Sequence, residues 1–177
     1  MSEIIAIVQL CPMLDYPVEQ LISRVSRRFP DYDVRNFGST DVPQMAFDSF
    51  RKQYHSTRVL VELEKIRNEQ VEHILGVMPF DLYVPGMNFV FGEARCPGRA
   101  AVISTYRLKT DEAESQQLFE SRIVKEAVHE IGHMMGLRHC SRPSCVMYFS
   151  ERVSDTDKKK DIFCSECGPR MKLLTIE

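Results

Sequence analysis

The sequence predicts a single α/β domain, with strands and helices alternating in its first half and one long helix in its second half. Five segments read as strands, at 4–10, 33–37, 80–84, 88–94 and 100–107. An amphipathic helix is predicted between the first two strands, and after Leu108 apolar residues again recur at helical spacing. The length of 177 residues suits one domain with a substantial core.

The first helix is predicted over 17–29. Its apolar residues are spaced three or four apart, at Val18, Leu21, Ile22, Val25 and Phe29. Pro17 suits the first turn of a helix, because its missing N–H would have no partner there. A strand–helix–strand unit of this length normally joins two parallel strands by a right-handed crossover.

A second helix is predicted over 56–71, where apolar residues recur at Val59, Leu60, Leu63 and Ile66. Turns at Pro85-Gly86 and Pro97-Gly98 separate the three strands that follow. The third helix follows Leu108. Its acidic start (Asp111, Glu112, Glu114) favours the positive end of a helix dipole, and its apolar stripe is Val124, Val128, Ile131 and Met135.

Charge and composition exclude several classes of partner. The net charge is -2 and the pI is near 6.2, so no general positive field attracts nucleic acid or anionic membranes. The N-terminus has no basic region before its short apolar run, and no segment approaches the ~20 apolar residues that span a bilayer. We expect a cytoplasmic protein with no nucleic-acid or membrane partner, and favour a monomer.

The third helix ends in the segment HEIGHMMGLRHC, residues 129–140. His129 and His133 are four residues apart, so both imidazoles project from one face at a separation that suits one zinc ion. Glu130 is rotated about 100° around the axis, beside these ligands, where a general base for a zinc-bound water should lie. The third helix is therefore predicted to carry a catalytic metal site.

Gly136 and His139 complete this pattern. Glycine supplies the positive φ that ends a helix sharply, so the chain can turn and bring His139 to the same metal. The full pattern HExxHxxGxxH is much more specific than HExxH alone. In the metzincin zinc peptidases a methionine turn lies beneath such a metal, and Met147 follows His139 by eight residues.

Four of the six cysteines form a second group: Cys140, Cys145, Cys164 and Cys167. Two short cysteine pairs separated by eighteen residues indicate a closed structural zinc site. His139 and Cys140 are adjacent, and consecutive side chains diverge, so we expect two separate zinc ions per chain. Cys11 and Cys96 are expected to be buried thiols without a role. Between the cysteine pairs, a short helix is expected near Ser154, and the lysine run that follows is expected to be solvated.

HEIGHMMGLRHC, followed by Cys145, Met147 and the CSEC segment at 164–167, resembles the archaemetzincins, a branch of the metzincin metallopeptidases. The family pattern is HExxHxxGxxxCxxxxCxM, about seventeen residues and then CxxC, and this chain has sixteen residues in that interval. The segment DLYVPGMNFVFGEA is also similar to family sequence. The resemblance covers about residues 50–170.

This resemblance implies a metzincin-like α/β (α+β) fold, with a mixed sheet that has one antiparallel edge strand. It implies a catalytic zinc on His129, His133 and His139, a second zinc on the four cysteines, and hydrolysis of a peptide or protein with Glu130 as base. We expect an N-terminal subdomain of about 1–136 that ends with the active-site helix, and a C-terminal subdomain of about 137–177 that holds the methionine turn.

Four alternatives stay open from the sequence. Segment 88–94 is either the strand that pairs with an extended substrate, with Gly92 permitting close approach, or an ordinary edge strand. The hydroxyl of Tyr148 either stabilises an oxyanion or is structural. The cysteine cluster resembles a zinc ribbon in its spacing, so the chain could be an interaction module with little peptidase activity. It could also be an enzyme restricted to one protein substrate.

Overall fold

A computed structural model describes residues 3–12, 16–66, 70–111 and 115–174. The strands in chain order are β1 (Ile4–Gln9), β2 (Asp33–Ser39), β3 (Phe47–Asp48), β4 (Gln53–His55), β5 (Val71–Met78), β6 (Leu82–Tyr83), β7 (Gly92–Ala94) and β8 (Ala100–Ser104). The helices are α1 (Val18–Ser26), α2 (Ser56–Leu63), α3 (Gln116–Met134), α4 (Val153–Lys158) and α5 (Cys167–Leu174), with a 3₁₀ turn at Gln44–Ala46.

Five strands form the main sheet in the order β2-β1-β5-β8-β7. The first four are mutually parallel, and β7 is antiparallel to β8 at the edge. The structure therefore confirms the predicted mixed sheet with an antiparallel edge strand, and the parallel pairing of β1 with β2. A smaller sheet contains β3, β4 and β6.

The main sheet is covered on both faces, because successive side chains of a strand point to opposite sides. Ile5 and Ile7 of β1 join the core beneath α1 and α3, whereas Ile4, Ala6 and Val8 join the core beneath α2. The described helices thus form layers on either side of the sheet. The cluster with α1 and α3 also includes the segment from Cys145 to Met147. The two predicted subdomains share this core, and the division near residue 136 stays a prediction.

The central strand β5 was not foreseen from the sequence. The predicted helix over 56–71 ends at Leu63, residues 67–69 lie outside the described residues, and Val71 begins β5 instead. The prediction was wrong here because β5 is buried on both faces between β1 and β8, so its sequence is a nearly continuous apolar run without alternation.

The other predicted elements are present with different bounds. Helix α3 begins later than expected, at Gln116, and the Ser115 hydroxyl caps it by accepting the N–H of Leu118 at 3.2 Å. Glu112 and Glu114 lie outside the described residues. Of the predicted strand 88–94, only 92–94 is a strand, and Val90 forms an isolated antiparallel bridge with Leu82. Within the described ranges, no helix combines the length and apolar character needed to cross a membrane.

Candidate active site

Helix α3 carries the predicted histidine pair and glutamate on its last turns. His129 and Glu130 are each 4% exposed, and His133 is partly buried. The helical period directs both histidines toward one point, as their spacing of four residues predicts.

Backbone carbonyls fix the orientation of both rings. The Nδ1 atom of His129 lies 2.7 Å from the carbonyl oxygen of Val146, and Nδ1 of His133 lies 2.7 Å from that of Leu137. With Nδ1–H donating to a carbonyl, each Nε2 keeps a free lone pair. The two Nε2 atoms are 3.1 Å apart, close to the ~3.3 Å expected between two nitrogens on one tetrahedral zinc.

The turn after α3 brings His139 to the same point. Gly136 has a φ of +89°, and its N–H donates to the carbonyl of His133 at 2.9 Å, while the N–H of Leu137 donates to Gly132 at 3.0 Å. This pair of bonds is the Schellman motif, which reverses the chain beyond a helix. One ligand nitrogen from each of the three histidines lies within 4.8 Å of the others.

Desolvation favours the neutral, metal-binding form of the three histidines, of which His139 is the most exposed. Desolvation lowers the pKa of His129 well below its ordinary value, lowers that of His133 to about 4 and also lowers that of His139. The positive charge of Lys159 lowers all three further. The rings are therefore neutral near pH 7, and this donor set of three imidazole nitrogens suits zinc.

Met147 lies beneath the histidine pair. Its side chain is fully buried, and a Cβ added at Gly132 would meet its sulfur at 2.6 Å. The turn is held by the N–H of Tyr148, which donates to Cys145 at 3.0 Å, and by the N–H of Cys140, which donates to Met147 at 2.9 Å. The predicted methionine turn thus packs against the one residue of this helix turn that has no side chain.

Glu130 projects toward the edge strand. A Cβ at Gly92 would lie 2.7 Å from Oε1 of Glu130, so the close approach at this glycine is made by the carboxyl group. Burial raises the pKa of Glu130 well above its ordinary value, and the charges of Glu126 and Glu93 raise it further, whereas Lys159 lowers it. The position beside the two histidines is the one predicted for a base.

These groups open into a cleft of about 850 Å³ between the edge strand and α3. Its described lining includes β7, the three histidines, Glu130, Arg138, and the segment from Phe149 to Glu151. Tyr148 does not line it, whereas the ring of Phe149 lies 4.9 Å from the ring of His139. Because Tyr148 is not part of the described cleft lining, this arrangement favours a structural role for its hydroxyl over stabilisation of an oxyanion.

A buried ion pair lies one helical turn before Glu130. The Nζ atom of Lys159 is 3.0 Å from Oε1 of Glu126, and the Thr156 hydroxyl donates to the same oxygen at 2.9 Å. The prediction that the lysine run is solvated is therefore wrong for Lys159, which is 1% exposed. Only the unfavourable spacing of Glu126 and Glu130, four residues apart on one helix, signalled that a cation should lie nearby.

The structure also brings the four clustered cysteines together. Their sulfur atoms lie within 4.8 Å of one another, and Sγ of Cys140 is 3.9 Å from Sγ of Cys164. Tetrahedral zinc holds two thiolates about 3.8 Å apart, given Zn–S bonds of ~2.3 Å. The N–H of Cys164 lies 3.4 Å from Sγ of Cys145, and the N–H of Arg142 lies 3.5 Å from Sγ of Cys140. Both bonds stabilise thiolates.

The pKa shifts of these thiols also fit a bound cation. Burial raises the pKa of Cys145, and it raises that of Cys167 together with the neighbouring sulfurs. Burial acts against ionisation of Cys164 too, but the N–H groups of Cys167 and Glu166 lower its pKa to about 6. Thiolates held this close together repel one another, and a bound cation would offset that repulsion.

The two remaining cysteines stand apart from this cluster. Cys11 is partly buried. Cys96 was predicted to be buried, and this prediction is wrong, because Cys96 is exposed and lines the cleft. It lies just after the edge strand, where the chain leaves the sheet, and its thiol is 3.4 Å from the carbonyl of Leu137.

Comparison with known proteins gives three consistent results. A family model described as peptidase family M54 matches residues 20–173. The archaemetzincin of Archaeoglobus fulgidus is 43% identical over 157 residues, which cover 89% of this chain and 92% of that protein. The crystal structure of the Methanopyrus kandleri archaemetzincin has a TM-score of 0.89 and 35% identity, covering 99% of this chain and 96% of that one.

A second similar structure is that of a zinc-dependent peptidase from Methanocorpusculum labreanum, with a TM-score of 0.82 and 28% identity. The match covers 95% of this chain and 99% of that one. The likeness therefore extends over nearly the whole of both chains, including the cleft and the cysteine cluster.

Proposed function

Because this chain belongs to peptidase family M54, we propose that Glu130 is the general base of peptide-bond hydrolysis in the cleft. Membership in this family makes the chain a zinc metallopeptidase that acts on peptides or proteins. One observation carries the proposal. Three histidine nitrogens converge within 4.8 Å beside a buried carboxyl group, at the floor of an open cleft.

His129, His133 and His139 would hold the catalytic zinc. The carbonyls of Val146 and Leu137 hold the first two rings by their Nδ1 atoms, so the Nε2 atoms are presented to the ion. Zinc bound in this way would act as a Lewis acid, polarising the scissile carbonyl and making water a better nucleophile. A closed site is excluded for this ion, because the three ligands face the cleft.

Glu130 moves the proton. Its carboxyl group accepts the proton of the attacking water and then delivers it to the nitrogen of the leaving amine. Burial favours this task, because it raises the pKa of the carboxyl group toward the range in which a group can both accept and release a proton near neutral pH. The backbone at Gly92 leaves the space that this carboxyl group occupies.

The edge strand β7 would hold the substrate. It pairs with β8 on one side only, and its other side borders the cleft. An extended peptide can add to such an edge through main-chain hydrogen bonds, which place its carbonyl groups at regular intervals along the cleft. The proposal therefore takes the substrate-pairing alternative for segment 88–94.

Cys140, Cys145, Cys164 and Cys167 would hold a second, structural zinc, giving two ions per chain. Four thiolates complete a tetrahedral shell and leave no position for water or substrate. Because Cys140 follows His139 directly, this ion would tie the C-terminal segment to the third histidine.

The test is digestion of a peptide library by the zinc-loaded protein, with the new ends read by mass spectrometry. Cleavage should occur, and the rate should fall at least ~10²-fold in Glu130→Gln, the lower bound for losing a general base. The zinc content of this variant should equal that of the wild type, since Glu130 is not a ligand.

The matched control is Glu120→Gln, which removes a carboxyl group from the same helix outside the cleft. This variant should cleave at the wild-type rate. Undiminished cleavage by Glu130→Gln would contradict its role as base. An absence of cleavage by the zinc-loaded wild type would instead favour the interaction module that the cysteine spacing left open.

A further inference from the structure

We propose that Arg138 makes this cleft select substrates with an acidic side chain on the N-terminal side of the scissile bond. The proposal rests on the proposed function, because it assigns a substrate class to the same cleft. Arg138 lines the cleft and directly precedes the third histidine. Its charge lies near the Cys96 thiol, which lines the same cleft.

Arg138 is an exposed cation without an acidic partner in the described ranges. Other arginines of this chain do have such partners: Arg28 pairs with Asp161, Arg95 with Glu64 and Arg107 with Asp81. A guanidinium group that points into a binding cleft with its donors unused is suited to bind a carboxylate from another molecule.

The acidic residues on the cleft wall have other roles. Glu126 is paired with Lys159, and Glu93 accepts hydrogen bonds from the hydroxyls of Ser56 and Thr57. Glu130 is assigned to proton transfer. Glu151 is exposed on the segment after Phe149 and forms no ion pair with Arg138. The positive charge of Arg138 is therefore not offset by a contact within the cleft.

Two contacts place Arg138 at one end of the edge strand. The Cys96 thiol lies 3.4 Å from the Leu137 carbonyl, and the N–H of Gly98 donates to Met134 at 2.9 Å. The turn that carries Arg138 thus lies beside the segment that follows β7. The opposite end of this wall is formed by Met87 to Phe89.

This placement determines which part of a bound peptide lies beside Arg138. A peptide that adds to β7 as an antiparallel strand, the more stable pairing per residue, has its N-terminal part at the Cys96 end. Gly92 faces Glu130, so the scissile bond lies near Gly92. Cys96 is four residues farther along but lies beyond the end of β7 at Ala94, so it is at most about 13 Å from Gly92. The acidic residue therefore precedes the scissile bond by about two to four positions.

Because Arg138 is exposed, the expected preference is modest. An exposed ion pair is worth up to ~1 kcal/mol, so peptides that carry the acid should bind about two- to fivefold more tightly than neutral ones. The preference should weaken as salt concentration rises. A bidentate contact would place it at the upper end of this range.

The test uses zinc-loaded Glu130→Gln protein, so that binding is measured without turnover. Two fluorescein-labelled pools of C-terminally amidated peptides are compared by fluorescence anisotropy, one containing Glu and the other Gln in its place. The Glu pool should bind more tightly, and Arg138→Gln in the same background should remove the difference. Arg138→Lys should keep part of it.

Arg35→Gln is the matched control, because it removes one positive charge from β2, the opposite edge of the sheet. It should keep the difference between the pools. Equal binding of the two pools, or a difference that survives Arg138→Gln, would overturn the proposal.

Digestion by proteins that keep Glu130 then determines where the acidic residue of the substrate lies relative to the cleaved bond. Asp and Glu should be enriched two to four positions before the cleaved bond, and Arg138→Gln should remove this enrichment. Enrichment only after the cleaved bond would overturn the placement. Cleavage without acidic preference contradicts this proposal alone, whereas a binding difference without any cleavage contradicts the proposed function alone.

Discussion

Lys159 and Glu126 form an ion pair whose Nζ and Oε1 atoms are 3.0 Å apart, with both side chains buried. Nζ of Lys159 also lies 3.4 Å from the carbonyl oxygen of Tyr148. The pair thus joins α3, one turn before Glu130, to the segment that follows the methionine turn. Removing either partner would leave a buried charge without compensation.

We expect Lys159→Met to lower the free energy of unfolding by about 3–5 kcal/mol, the usual cost of breaking a buried pair. Lys160→Met, at an exposed neighbouring position, should change it by less than ~0.5 kcal/mol. Urea unfolding of the zinc-loaded proteins measures both. The double variant Glu126→Gln/Lys159→Met should be more stable than Lys159→Met, and a purely additive loss would show that the two charges do not interact.

Gly136→Ala should weaken the catalytic metal site. The residue has a φ of +89°, where a side chain costs roughly 1–2 kcal/mol, and the turn sets both the Leu137 carbonyl and His139. Gly38→Ala is matched, because Gly38 has a φ of +79° on β2, far from the site. Both variants should lose similar stability, but only Gly136→Ala should lose zinc affinity, measured by competition with a chelator. Equal zinc affinity in the two would contradict this role.

Gly132→Ala should destabilise the protein, although alanine normally favours a helix interior over glycine by about 1 kcal/mol. The added Cβ would lie 2.6 Å from the sulfur of Met147, and such overpacking costs about 1–3 kcal/mol. At Gly168 in α5 the nearest atom to an added Cβ is 3.9 Å away, so Gly168→Ala should cause no loss. Thermal unfolding compares the two. A more stable Gly132→Ala protein would show that Met147 does not pack there.

Elemental analysis should find two zinc ions in the wild-type chain. Cys164→Ser and His133→Ala should each retain one, and Cys11→Ser should retain both, because Cys11 lies outside the two clusters. His133→Ala should also lose peptidase activity. The ion held by four thiolates should be removed last by chelators. One zinc in the wild type, with none lost in Cys164→Ser, would exclude the cysteine site.

His73 should make stability depend on pH. Burial lowers its pKa in the folded protein, and its Nδ1 lies 3.2 Å from the Gly98 carbonyl. In the unfolded chain His73 takes up a proton as the pH falls through ~6.5, whereas in the folded protein it stays neutral to lower pH. The unfolded state then binds more protons, so stability falls below about pH 6.5.

His73→Gln keeps a donor for the Gly98 carbonyl and removes this titration. The fall in melting temperature between pH 7.5 and pH 5.0 should therefore be smaller in the variant than in the wild type. The other titrating groups are common to both proteins, so the comparison isolates His73. An identical fall in the two would mean that the pKa of His73 does not change on folding.

The local part of the candidate site could be predicted because it depends on short-range geometry. The helical period places His129 and His133 on one face, and glycine is suited to the positive φ at residue 136. The resemblance to archaemetzincins added the mixed sheet and its antiparallel edge strand. Helix α1 was also recognised by its apolar periodicity, and β1 by its short, continuous apolar run.

Packing between distant segments decided the rest. Strand β5 was missed because it has no alternation to detect and because its first residue, Val71, was taken as the end of the helix predicted over 56–71. Nothing in the lysine run indicated that Lys159 is buried against Glu126. The spacing of the histidines also carried no information about the Val146 carbonyl that orients His129, or about the strand glycine that faces Glu130.

The sequence by itself determined the metal-binding residue types, their spacing and their grouping into a histidine set and a cysteine set, because these follow from local backbone geometry and donor chemistry. Only the tertiary structure decided which groups are buried beside them, and therefore their charge states. It also decided that Arg138 lies in the cleft with no acidic partner among the residues that the structure describes. Burial and ion pairing depend on contacts between segments that are far apart in the chain. The periodic pattern of one segment does not show which other segments will pack against it.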